Sequence, residues 1–214
     1  MVPPLVRKEA CGQPDAEKLV RIIGGALKGR RLSPLRGLSV RPTTDYLRES
    51  VFNILADHVE GAVVLDLFAG TGSLGIEALS RGASSAVFVE KSPQAIKALL
   101  RNISACSLEE RCTVVRRDVL RALNFLRATG HCFDLVFADP PYDHGLVKPT
   151  LHLVDRAECI AEGGLVVVEH SLVEALPEKM GRLRRIDQRR HGKTLVSFIE
   201  CVMKQLASGR ANPT

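Results

Sequence analysis

Asp66-Leu67-Phe68-Ala69-Gly70-Thr71-Gly72-Ser73-Leu74-Gly75 is the stretch on which the fold turns. The apolar run Ala62–Phe68 reads as a buried strand, and Leu74–Ser80 reads as a helix. Gly70, Gly72 and Gly75 satisfy G-x-G-x-x-G, a spacing that brings backbone close to a ligand and offers it helix N-terminal N–H groups. Outward from this loop, strand and helix alternate. Strands are predicted at Ala86–Glu90, Cys112–Arg116, Phe133–Asp139 and Leu165–Glu169, and helices at Pro93–Cys106, Val119–Ala128 and Leu146–Ala157. Ser92 supplies a cap and Pro93 a first-turn residue. The alternation predicts an α/β fold: a doubly wound, mostly parallel sheet of seven strands with helices on both faces. Two last strands, near Leu183–Arg189 and Thr194–Met203, are joined by a tight turn at Gly192 and predict an antiparallel pair at one edge.

Upstream, Arg21–Ile23 and Ala26–Leu32 flank Gly24-Gly25 and predict a β-hairpin. Ser33–Pro42 reads as loop, and Thr43 or Thr44 caps a helix reaching about Asp57, with Leu47, Val51, Ile54 and Leu55 at helical spacing. The expected organisation is a flexible extension at 1–19, a hairpin-and-helix unit at 20–60, a core at 61–203 and a tail at 204–214.

At 214 residues and 45% hydrophobic content, the chain can bury one full α/β core. No apolar run approaches the roughly 18 residues of a membrane span, and residues 1–18 lack the apolar segment of a secretory signal, so the expected location is the cytoplasm. The six cysteines form no C-x-x-C pair, which suits a reducing compartment, and the six histidines show no ligand spacing, so no metal is expected. His144, close after Tyr142, reads as a surface-loop residue. The net charge of +6 is concentrated in two runs. Between residues 18 and 44 lie Lys18, Arg21, Lys28, Arg30, Arg31, Arg36 and Arg41 with no acidic residue until Asp45; between 179 and 193 lie Lys179, Arg182, Arg184, Arg185, Arg189, Arg190 and Lys193 against Asp187 alone. Clustered basic charge suits a phosphate-backbone partner and equally a solvated enzyme face.

Polar groups fall at successive strand ends. Glu90, twenty residues after Gly70, is placed to accept from ribose hydroxyls, so the loop suits either NAD or S-adenosylmethionine. Asp66 favours the second, because a carboxylate is awkward beside a pyrophosphate but suits an ammonium and a sulfonium. Asp118 is placed to accept from an adenine amino group. After Phe133–Ala138 comes Asp139-Pro140-Pro141-Tyr142, where two prolines end the strand abruptly. The resulting ledge carries a carboxylate, a carbonyl with no N–H following it and an aromatic ring, which together can grip a planar amino group.

These features resemble the class I S-adenosylmethionine-dependent methyltransferases, and the ledge resembles the Asp/Asn/Ser-Pro-Pro-Tyr/Phe motif of their amino-methylating branch. Arg21-Ile22-Ile23-Gly24-Gly25, Gly29-Arg30, Arg41-Pro42-Thr43-Thr44-Asp45, Arg48-Glu49, Phe52-Asn53 and Glu77-Ala78-Leu79-Ser80-Arg81-Gly82 are similar to the bacterial 16S ribosomal RNA (guanine-N2)-methyltransferases that modify the guanine usually numbered 966. The resemblance runs from about Arg21 to Glu200. It implies cofactor contacts at Thr43, Thr44, Asp66, Phe68, Ala69, Gly70, Thr71 and Gly72, and at Glu90, Lys91, Asp118, Val119 and Asp139. It implies catalytic roles for Asp139, Pro140 and Tyr142, and RNA contacts at Lys28, Arg30, Arg31, Arg41 and Tyr142. The expected partner is 16S ribosomal RNA or a small-subunit assembly intermediate, met by a monomer without metal. Three alternatives stand beside this reading: adenine-N6 methylation of DNA or RNA, an NAD-dependent oxidoreductase, and a catalytically silent RNA-binding module. A glutamine-amide methyltransferase fits less well, because Asp139 stands where those enzymes carry Asn.

Overall fold

Buried β-branched and aromatic runs build the centre of the molecule. The computed structural model describes residues 20–35, 45–128, 130–141 and 144–202. Its main sheet contains β3 (Val63–Leu67), β4 (Ser85–Glu90), β5 (Cys112–Arg116), β6 (Phe133–Ala138), β7 (Ile160–Ser171), β8 (Lys179–Met180), β9 (Leu183–His191) and β10 (Thr194–Cys201), in the order β5-β4-β3-β6-β7-β10-β9-β8. The first five of these, β3 to β7, are mutually parallel; β10 lies antiparallel between β7 and β9. The sheet has the seven predicted strands and an eighth, the two-residue β8, which a turn at Gly181 folds back onto β9. Strand β7 begins five residues before the predicted Leu165, since Ile160 pairs with Phe133 ahead of a register shift.

Helices cover both faces. Phe88, Phe137, Val167 and Phe198 point to the side covered by α1 (Asp45–Ile54), α3 (Ser73–Ser80) and α4 (Pro93–Ala105). Leu65, Val136, Val166 and Ile199 point to the side covered by α5 (Val119–Ala128) and α6 (Val147–Ala157). A short α2 (Ala56–Val59) links α1 to β3. The chain winds outward from β3 through α3 to β4 and through α4 to β5, then returns through α5 to β6 on the other side of β3. The strand order therefore reverses at β3/β6, which is where open α/β sheets form their ligand crevice.

The N-terminal hairpin is real but differs from its prediction. Its strands are only β1 (Val20–Arg21) and β2 (Arg31–Leu32), with Val20 opposite Leu32. The nine residues between them form a loop fastened to α3 by partners remote in sequence. The Ile23 and Gly24 N–H groups each donate to the Glu77 carboxylate at 2.8 Å, and the Leu27 N–H donates to Ser80 Oγ at 2.9 Å. A side chain at Gly25, whose φ is 73°, would collide with the backbone of Ser80. The predicted helix is interrupted at Leu55, and its capping candidates Thr43 and Thr44 lie outside the described residues.

Candidate active site

The crevice opens at the C-terminal ends of β3, β4, β5 and β6. Between β3 and α3 the backbone enters the left-handed region at Phe68 (φ 61°), Gly70 (φ 55°) and Gly72 (φ 84°). Gly72 and Gly75 are required by space as well: a side chain at the first would strike Leu99, and at the second the Phe88 ring. The loop is stitched at both ends, Ala69 N–H donating to Val89 O at 3.0 Å and Gly72 N–H to Ala69 O at 2.7 Å.

Glu90 braces this loop from the end of β4. One carboxylate oxygen accepts from Gly70 N–H at 2.8 Å, and the other from Lys91 N–H at 2.8 Å and Ser92 N–H at 2.7 Å. Asp66 lies deeper, 2% exposed, and accepts from Gly75 N–H at 3.0 Å. Burial raises its carboxyl to about 7; the Gly75 hydrogen bond works against this and the Glu90 charge adds to it. Asp118, half-buried after β5, accepts from Lys91 Nζ at 3.0 Å and from Leu120 N–H at 3.0 Å, and the Lys91 bond holds its carboxyl below the usual range. Val119 is buried beside it as the first residue of α5.

The ledge completes the crevice. Leu67 pairs with Ala138, so Asp139 leaves β6 beside Phe68, one strand spacing of about 4.8 Å away. Asp139 is half-buried and Pro140 buried. Tyr142, Arg41, Thr43 and Thr44 lie outside the described residues. The structure thus gathers Asp66, Phe68, Ala69, Gly70, Thr71, Gly72, Glu90, Lys91, Asp118, Val119, Asp139 and Pro140 around one switch point. Lys28, Arg30 and Arg31 are exposed elsewhere. The Arg30 guanidinium donates to the Ala105 carbonyl at the end of α4, and the loop between β1 and β2 is fastened to the end of α3. Helices that follow parallel strands end at the edge of the sheet opposite the crevice, so this loop faces away from it.

Three buried polar residues to which the sequence assigned no role tie the N-terminal unit together and, through Asn102, to the glycine loop. Asn102 of α4 donates to Thr71 O at 2.9 Å and accepts from Ser33 N–H at 2.7 Å, tying the glycine loop to the segment after β2. Glu77 anchors the hairpin loop, and Arg48 donates to Arg21 O at 2.7 Å and pairs with Asp45 at 2.8 Å. The available signal was a polar residue on an otherwise apolar helix face. The cysteines play no such part: burial raises Cys112 to about 12 and Cys159 to about 11, so these thiols stay protonated. Among the described residues no cluster of side chains has metal-ligand geometry. No helix there is long and apolar enough to cross a membrane.

The cradle suits a cationic nucleoside ligand. A buried carboxylate half-protonated near neutrality, with a second carboxylate adjacent, gains from a positive charge and would be disfavoured by a pyrophosphate.

Residues 20–200 match the model of the family described as conserved hypothetical protein 95. The Bacillus subtilis (strain 168) protein named "Putative rRNA methyltransferase YlbH" is 39% identical over 84% of this chain and 97% of its own length. The Escherichia coli (strain K12) "Ribosomal RNA small subunit methyltransferase D" is 37% identical over 74% of this chain and 78% of its own. Among solved structures, "Putative methyltransferase yhhF from Escherichia coli" superimposes with a TM-score of 0.76 at 33% identity, covering 87% of this chain and 99% of the other.

Proposed function

The chain belongs to the conserved hypothetical protein 95 family, and from that premise we propose that it transfers a methyl group from S-adenosylmethionine to the exocyclic N2 amine of a guanine in 16S ribosomal RNA. The observation that carries this reading is the Leu67–Ala138 register, which sets the Asp139-Pro140 acceptors beside the glycine loop. Asp66 faces the ligand's cationic end, Glu90 its ribose, and Asp118 with Lys91 and Val119 its base; Thr43 and Thr44 contribute from the segment before α1. When bound, that ligand supplies an electrophilic sulfonium methyl, so that an N–C bond forms as the C–S bond breaks and one amine proton is released.

The chain's own residues make the amine reactive. Its lone pair is delocalised into the guanine ring. The Asp139 carboxylate and the Pro140 carbonyl each accept one of its N–H groups, which draws the nitrogen toward tetrahedral geometry and frees the lone pair. Asp139 then takes the released proton and passes it to water. Tyr142 stacks on the base, worth roughly 1–3 kcal/mol. Alignment of the reactants supplies on the order of 7–11 kcal/mol of the barrier reduction. The target guanine must be unpaired or flipped to reach the ledge. Arg41 contributes an RNA contact, and Lys28, Arg30 and Arg31 contact the RNA on the side of the sheet away from the crevice.

The decisive experiment is methyl transfer to small-subunit RNA from cells lacking this activity, mapped by nucleoside mass spectrometry. N2-methylguanosine is expected, and N6-methyladenosine instead would overturn the choice of base. Asp139→Ala is expected to lower turnover by about 10²–10³-fold, the scale of losing one preorganised transition-state contact, while S-adenosylmethionine still binds.

A further inference from the structure

Of the two basic runs, the second ends at the crevice rim. Strand registers place it there. Ala138 pairs with Val168, Val168 with Ser197, and Ser197 with Gln188. One residue onward, Asp139 is therefore level with Glu169, Val196 and Arg189. Strand β9 runs in the same direction as β6, so Arg189, Arg190 and His191 emerge at the sheet edge that carries the ledge. Three strand spacings separate Arg189 from Asp139, roughly 14 Å, a gap that a few unpaired nucleotides bridge.

These residues face α1 across a cleft of about 330 Å³ lined by Ser50, Asn53, Ile54, Arg189, Arg190 and His191. The Tyr46 ring, 72% exposed, meets the His191 ring edge-on at 5.9 Å. Arg189 is oriented by Asp187 at 2.9 Å and remains 58% exposed. Arg190 donates to Gly192 O at 3.1 Å and, among the described residues, forms no ion pair. Lys193 is exposed just beyond. Exposed guanidinium groups held in place, hydroxyl and amide donors across a cleft and an exposed ring together suit a phosphodiester strand carrying bases.

We propose that the cleft between α1 and the C-terminal end of β9 holds the phosphate backbone of the RNA strand that leads to the target base, with Arg189 and Arg190 as its main contacts. This rests on the reading of the substrate as RNA. The bland alternative is that charge on an edge strand merely blocks strand-to-strand association, since β8 covers only Leu183 and Arg184.

Salt dependence separates the two. Binding of 16S ribosomal RNA transcript to the full chain is measured across a salt series for wild type, Arg189→Gln/Arg190→Gln, Arg190→Gln alone and Arg190→Lys. The double variant is expected to bind about tenfold more weakly near 0.15 M salt, with a log–log slope shallower by about 1.4, at roughly 0.7 per single-strand phosphate contact. Arg190→Gln leaves the Arg189–Asp187 pair intact, reports even if the double variant unfolds, and is expected to lose about half of that slope change; Arg190→Lys keeps the wild-type slope. Glutamine variants that superimpose on wild type while the transcript is still methylated overturn this contact alone. Absence of both salt-dependent binding and methyl transfer in wild type, with the transcript and with small-subunit particles alike, overturns the RNA reading and this contact with it.

Discussion

Asp66 and Glu77 lie eleven residues apart, both essentially buried, and they do opposite things. Glu77 is compensated: two backbone N–H groups of the hairpin loop donate to it, and Arg81 pairs with it at 2.7 Å. Asp66 receives one N–H, from Gly75, and has Glu90 nearby to raise its carboxyl further. Burial alone therefore does not distinguish a structural acid from a functional one. The degree of compensation does: Glu77 is complete within the chain, whereas Asp66, with one N–H donor, has room for the cation proposed to occupy the crevice.

Removing the compensated acid is expected to do the most damage. Glu77→Ala leaves Arg81 and two N–H groups without their acceptor and is expected to cost about 3–5 kcal/mol, read as a lower denaturant midpoint. A loss below about 1 kcal/mol would mean that the hairpin loop does not depend on it. Asp66→Asn is expected to act in the opposite sense on stability. The wild-type carboxyl titrates at about 7 when folded and at 3.8 when unfolded, so the folded state holds the extra proton between those values. Its contribution is fully present below the unfolded value and is lost as pH rises through about 7, a fall on the order of 4 kcal/mol. The asparagine variant is expected to lack that pH dependence and to melt above wild type at pH 8. It is also expected to bind S-adenosylmethionine about 10- to 100-fold more weakly, the worth of a charge-assisted contact. Calorimetry in buffers of different ionisation enthalpy is expected to show proton release on binding to wild type near pH 7, and none with the variant. Lys28→Gln/Arg31→Gln is expected to have the smallest effect, about twofold to fourfold in RNA affinity per charge with cofactor affinity unchanged, measured by filter binding.

Much of this architecture was legible locally. β5 and α5 fall where apolar runs and helical spacing put them, and Glu90, Asp118 and Asp139 stand at strand ends because a buried strand stops where polar residues begin. The glycine loop was legible through the left-handed and close-packed positions it demands. What stayed hidden depends on partners distant in sequence. Ile23 and Gly24 read as strand and turn because nothing nearby announces that Glu77 accepts their N–H groups. The insertion of β10 between β7 and β9 is a non-local pairing, so neither that order nor the level shared by Arg189 and Asp139 followed from the alternation of elements. Asn102 and Arg48 carried no assigned role, since the Thr71 and Ser33 partners of the first and the Arg21 carbonyl reached by the second lie on other segments.

That insertion has a consequence for how the molecule is made. Among the described strands β10 is the last to be synthesised, yet it lies inside the sheet, with β7 on one side and β9 on the other. Until it emerges, β7 exposes an unpaired apolar edge, and β9, strongly basic, has only the two-residue β8 beside it. A nascent chain through His191 would carry the strand ends that form the crevice on an open sheet, a template for pairing with other chains. Completion of the fold therefore waits on residues 194–201, and a chain cut short within them loses its closure at once.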